Sequence, residues 1–112
     1  MSQLHNQECE ACRAGAPLAT PEETIEWMQE LSGWEIISVD NISRLQRTFG
    51  FENFIAALEF TNKVGALAEE VNHHPEIITE WGKVTVSWWS HKIKGLHRND
   101  FIMAAKTDTH YS

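Results

Sequence analysis

Three histidines gather in the second half of the chain: His73 and His74 as neighbours, and His91 further on. Imidazole can give or take a proton near neutral pH, so three of them suit a reaction that needs an acid and a base at one place. Two carboxylates have positions from which to join them. Glu69 precedes His73 by about one helical turn, and Asp100 falls in the first turn of an expected C-terminal helix. Each residue alone has an ordinary use, since charged helical side chains are mostly solvated and a first-turn carboxylate stabilises free helix N–H groups. The grouping, and not any single member, points to chemistry. His5, His97 and His110 lack such company and read as ordinary surface or core residues.

The same three histidines could instead bind zinc, because a three-imidazole set with one open position is a known catalytic arrangement. Acid–base use is preferred over metal binding, and the chain has no glycine-rich nucleotide loop. Cys9 and Cys12 form a lone C-x-x-C without a second pair, so they read as free thiols. A metal shared with His5 or between chains is the alternative for them.

Elements that would position these groups can be read from period and punctuation. Residues 1–20 end in Ala14-Gly15-Ala16-Pro17 without an apolar period and read as a mobile or loosely docked leader, with the folded domain over 21–112. Thr20-Pro21-Glu22-Glu23 is a helix start, and the helix should reach about Leu31 before Gly33. Strand-like segments at 34–39 and 44–49 flank an Asp40-Asn41 turn, predicting a hairpin. From Glu52 the period lengthens: Phe60, Val64, Leu67 and Val71 share one face of a long helix that Pro75 limits to about Asn72. A short strand near Ile77 and Ile78 precedes a clearer one from Lys83 to Ser90, where Val84, Val86 and Trp88 alternate with Thr85, Ser87 and Trp89. Bulk on both sides of that strand suggests coverage of both faces. A final helix opens near Arg98 and uses Phe101, Ile102 and Ala105. The order α-β-β-α-β-β-α implies an α+β, two-layer fold: a four-stranded antiparallel sheet with helices packed on one face.

Glu69, then His73-His74-Pro75, then Trp81, His91 and Asp100, at these spacings, resemble the signature of the pterin-4a-carbinolamine dehydratases. Phe49-Gly50-Phe51-Glu52-Asn53-Phe54 and Gly95-Leu96 resemble further parts of that family, so the likeness spans roughly residues 22–107. It implies a lyase, 4a-hydroxytetrahydrobiopterin dehydratase, that converts the carbinolamine to quinonoid dihydropterin and water without a cofactor. It also implies recycling of the pterin used in phenylalanine hydroxylation, a functional link to phenylalanine hydroxylase, and a homodimer or homotetramer. Carried onto matching positions, His73, His74 and His91 are the catalytic residues, and Glu69 and Asp100 are supporting or pterin-contacting acids. The flat substrate needs an apolar surface that Trp81 or Trp89 could supply. Trp27, Trp34 and Trp88 read as core or interface. Asn72 stands where many members carry an aspartate, and His97 where a Ser or Thr helix cap is common, which puts the start of the last helix in doubt. Relatives of this kind also imply two other readings: a dimerisation partner of transcription factors, and a dehydratase-like role in molybdopterin metabolism.

Composition sets the outer bounds. With 112 residues, five Trp and five Phe, the chain can bury one core but hardly two. A formal charge of −7, from 16 acidic and nine basic side chains, opposes direct nucleic-acid contact. No apolar run approaches the ~20 residues of a membrane span, and the N-terminus has no basic and apolar signal pattern, so a cytoplasmic location is expected.

Overall fold

The computed structural model describes Leu4 and residues 17–111, so His5, Cys9 and Cys12 lie outside the described residues. Along the chain come α1 (Pro21–Met28), β1 (Glu35–Val39), β2 (Ile42–Gly50), α2 (Phe54–Val71), β3 (Glu76–Glu80), β4 (Lys83–Trp88) and α3 (Arg98–Asp108). The strands form one antiparallel sheet in the order β1-β2-β4-β3.

Local chemistry explains the boundaries. Thr20 and Glu23 close a reciprocal capping box over α1, satisfying two N–H groups that the helix itself cannot. The helix stops at Met28, short of the expected Leu31. Residues 29–31 tighten into i→i−3 bonds, Glu30 N–H to Trp27 O and Leu31 N–H to Met28 O, and this turns Leu31 into the core. Asp40 and Asn41 both take positive φ, 53° and 66°, in a two-residue loop between the paired Val39 and Ile42. Such mirror-type turns follow the natural twist of a hairpin, and Asn and Asp tolerate that geometry best after glycine. Asn53 caps α2 by accepting from Ala56 N–H.

Cross-strand register separates the two faces of the sheet. Leu45 with Trp88, Arg47 with Val86, and Phe49 with Val84 point toward the helices. Thr79 on that face bonds Thr61 of α2, while Trp88 Nε1–H donates to Thr107 of α3 at 3.0 Å. Trp27 of α1 packs on Phe101 of α3 with ring centres 5.1 Å apart. The opposite face carries no helix, contrary to what the bulk on β4 suggests. There Thr48 meets Thr85, Gln46 donates to Ser87, and Arg44 lies over Trp89, so the side chains of the sheet cover one another.

The core includes Trp88, Phe49, Phe101, Leu45 and Ile102, all at most 1% exposed. At roughly 1.5–3 kcal/mol per large apolar side chain, burial of this kind dominates the favourable side of folding. Leu4 joins this core fully buried, and its N–H donates to Glu30 at 3.0 Å. At the end of α3, Asp108 accepts from Trp34 Nε1–H and from Arg47. Burial pushes its carboxyl above its ordinary value, and these two donors pull against that rise. Among the described residues, no helix is long and apolar enough to cross a membrane.

Candidate active site

Everything at the site turns on how α2 ends. Asn72 takes the left-handed conformation, φ 53°, and closes the helix through its N–H to Ala68 and Glu69 carbonyls. His73 N–H also reaches back to Ala68 O at 3.2 Å. Asn enters this region more easily than most residues, and Pro75 then prevents the helix from continuing. Consecutive residues after this reversal face opposite ways. His73 turns into the core and His74 turns out.

His73 is 3% exposed and stacks on Trp88, ring centres 5.6 Å apart and planes 20° apart. Its Nε2 lies 2.7 Å from Asp100 Oδ1. A carboxylate oxygen accepts, so Nε2 carries the proton and donates it. Asp100 is fully buried, and its other oxygen accepts from Ser90 Oγ at 2.8 Å and His97 N–H at 2.9 Å. A buried carboxylate is tolerated because these three donors replace water. His97 also serves as the cap of α3: its Nδ1 accepts from Asn99 N–H, while Asp100 reaches back to the His97 N–H. The doubt that an imidazole raises about this helix start is therefore answered by the fold, which uses His97 where Ser or Thr would be expected.

His74 sits at the surface, 52% exposed by side chain, and its Nε2 pairs with the Glu69 carboxylate, itself 78% exposed. His91 follows β4 in a loop closed by the Ser90–Gly95 bridge and by Lys94 at φ 52°. Its Nε2 is 3.2 Å from His74 O. A carbonyl only accepts, so Nε2–H donates, and in neutral imidazole the lone pair then rests on Nδ1. Trp89 packs against the His91 ring at 4.4 Å.

Asn72, His73, His74, His91 and Lys92 line a cleft of about 320 Å³. Volume does not single it out, since a hollow of about 360 Å³ lies between the end of β2 and α2. Its residues do, because this cleft alone among the described hollows carries several imidazoles. Of the residues expected from the sequence, Glu69, His73, His74, His91, Trp89 and Asp100 lie at this end of the sheet. Trp81 does not: it is 72% exposed in the β3–β4 turn, at the far end of strands that rise about 3.3 Å per residue. Trp89 is 9% exposed between Arg44 and His91, which leaves little of its ring for a ligand. The three imidazoles do not converge as zinc ligands would, and among the described residues no group of three His, Cys, Asp or Glu has a metal-holding arrangement. Ser90 and His97 were not legible as partners of Asp100. Only the spacing of His97 to Asp100, that of a capping box, gave a signal.

Fold and geometry thus define a class, a two-layer α+β domain with a cleft of histidines and carboxylates at one end of its sheet. The profile of the family described as Pterin 4 alpha carbinolamine dehydratase matches residues 17–110. Proteins of Syntrophotalea carbinolica and Nitrosococcus oceani, each named "Putative pterin-4-alpha-carbinolamine dehydratase", are 61% identical over 108 residues, 96% of this chain and 96% of each of theirs. A crystal structure of a transcriptional coactivator/pterin dehydratase from Brucella melitensis superposes with TM-score 0.76 at 29% identity, covering 86% of this chain and all of that one. A pterin dehydratase-like protein identified as a RuBisCO assembly factor in the alpha-carboxysome shares the fold, at TM-score 0.60 and 22% identity over 71% of this chain and 93% of that one. The chain belongs to the pterin-4a-carbinolamine dehydratase family.

Proposed function

We propose that the protein is a 4a-hydroxytetrahydrobiopterin dehydratase in which His74 and His91 perform the proton transfers. The observation that carries this reading is that both imidazoles line one cleft, with His91 Nε2–H committed to the His74 carbonyl and Nδ1 left as its acceptor. In the reaction the N5 lone pair forms the C4a=N5 bond as the 4a-oxygen departs. His74, doubly protonated, gives its proton to that oxygen, which leaves as water. His91 Nδ1 takes the N5 proton. One proton is supplied and one is taken up, so the protein returns to its starting charge once the two histidines re-equilibrate with solvent. Glu69 holds His74 Nε2 and orients the ring. His73 and Asp100 hold the floor of the cleft from inside the core.

The reading includes recycling of the pterin of aromatic amino acid hydroxylases in the cytoplasm, with a link to phenylalanine hydroxylase. Self-association into a homodimer or homotetramer is supported by Phe54, Ile55 and Leu58, 43%, 70% and 43% exposed along the start of α2. The same surface supports a second reading, a protein-binding role, consistent with the coactivator in the name of the Brucella protein. A variant with all three site histidines changed to alanine separates the two, since only the binding role survives it.

The test is stopped-flow absorbance of freshly generated 4a-hydroxytetrahydropterin. The wild type should accelerate quinonoid dihydropterin formation over the spontaneous rate, and His74→Ala/His91→Ala should lose most of that gain. A wild-type rate equal to the spontaneous one removes the dehydratase reading.

A further inference from the structure

We propose that Arg44 is a positioning residue for His91, acting through Trp89. The role of His91 rests on the dehydratase reading; the contact between the three side chains does not. Arg44 lies on β2, one step beyond the Leu45–Trp88 pair, and so faces Trp89 on the helix-free side of the sheet. Its guanidinium carbon is 3.8 Å from the Trp89 ring centre, and that ring lies 4.4 Å from His91 at an interplanar angle of 32°. Guanidinium, indole and imidazole thus form one continuous stack that begins on the open sheet face and ends at the cleft.

The hydrogen bonding of Arg44 shows what sets its place. Its side chain is 14% exposed, and its nearest carboxylate, Glu76, is 3.8 Å away, at the outer limit of an ion pair. Nε is buried and bonded to nothing. An arginine held for its donors would spend them on acceptors, because a buried donor without a partner is costly. Here the planar face is what is used, and a flat delocalised cation covers an indole as an ammonium cannot. Arg44 therefore clamps Trp89 from one side, and Trp89 restrains His91.

That restraint matters because His91 is otherwise an exposed loop residue whose ring is fixed by one long bond to His74 O. Without the stack the imidazole can rotate, and Nδ1 loses its fixed direction into the cleft. Small misplacements of a proton-transfer group are costly in rate even when substrate still binds. Arg44 is not among the residues that line the cleft, so its effect falls on turnover and not on binding.

Two readouts test this on the intact chain. In NMR spectra of the free protein, the His91 ring protons should lie upfield of those of exposed His110, shifted by the Trp89 ring current. In Arg44→Ala most of that displacement should vanish, and Arg44→Lys should keep part of it. In the dehydratase assay Arg44→Ala should lower kcat about tenfold with KM within about twofold, and Arg44→Lys should recover part of the loss. Arg44→Met supplies an apolar cover if the alanine variant unfolds, and it should leave the ring shift intermediate. An unchanged His91 shift in a folded Arg44→Ala overturns the proposal, as does a raised KM at constant kcat, which would make Arg44 a direct substrate contact. If the wild type proves inactive, the dehydratase reading fails while the ring shifts still decide whether Arg44 positions His91.

Discussion

His73 and His74 are adjacent in the chain and each pairs with a carboxylate, yet the fold gives the two pairs opposite surroundings. The side chains of His73 and Asp100 are 3% and 0% exposed, whereas those of His74 and Glu69 are 52% and 78% exposed. Asp100 binds three donors from three places in the chain, and Glu69 binds one from a few residues away. A buried pair contributes through what its loss would leave unpaired, while an exposed pair is screened and adds little to stability. On the proposed dehydratase reading, the inner pair serves architecture and the outer pair serves chemistry.

Removing the inner carboxylate should have the largest effect. Asp100→Ala leaves His73 Nε2, Ser90 Oγ and the His97 N–H without a buried acceptor, and should cost about 3–4 kcal/mol in urea unfolding. Removing the support behind His73 comes next: Thr107→Val takes the acceptor from Trp88 Nε1–H and should cost about 1–2 kcal/mol in the same assay. The outer pair should answer in the other measurement. Glu69→Gln should change unfolding by less than about 0.5 kcal/mol while lowering turnover several-fold. A large loss of stability in Glu69→Gln, or none in Asp100→Ala, breaks the division.

Asp108, the second carboxylate of α3, lies between these extremes and gives the smallest effect. Its folded pKa is raised, chiefly by burial, so the folded state holds the proton at pH values where the unfolded chain has released it. Its contribution is therefore most favourable below the unfolded value and declines as pH rises through the folded one. The thermal midpoint of Asp108→Asn should therefore gain on that of wild type as pH rises from the ordinary carboxylate range upward. A difference that shrinks with rising pH contradicts that sign.

Much of the architecture was legible because period and punctuation acted together. Pro75 marked the end of α2, and Asp40-Asn41 marked the hairpin, since those residue types leave few backbone options. What the sequence could not show was direction. His73 and His74 look equivalent as letters, and only the left-handed turn at Asn72 decides which is buried. As a letter Asn72 shows only the charge it lacks, while the backbone it permits is visible in the fold alone. Trp81 shares the run of residues that carries the resemblance, yet it stands at the far end of the β3–β4 hairpin, because a strand moves residues away from a site as fast as the chain advances. Arg44 lies far from the cleft residues in sequence and joins them only through cross-strand register.

The division between the two pairs is tested most directly by measuring turnover and unfolding free energy together for His74→Ala. Turnover should fall about 100-fold or more, the usual share of a histidine acid or base, with unfolding unchanged within about 0.5 kcal/mol. Retained turnover, or a loss that is matched by a comparable loss of stability, would contradict the assignment of chemistry to the outer pair.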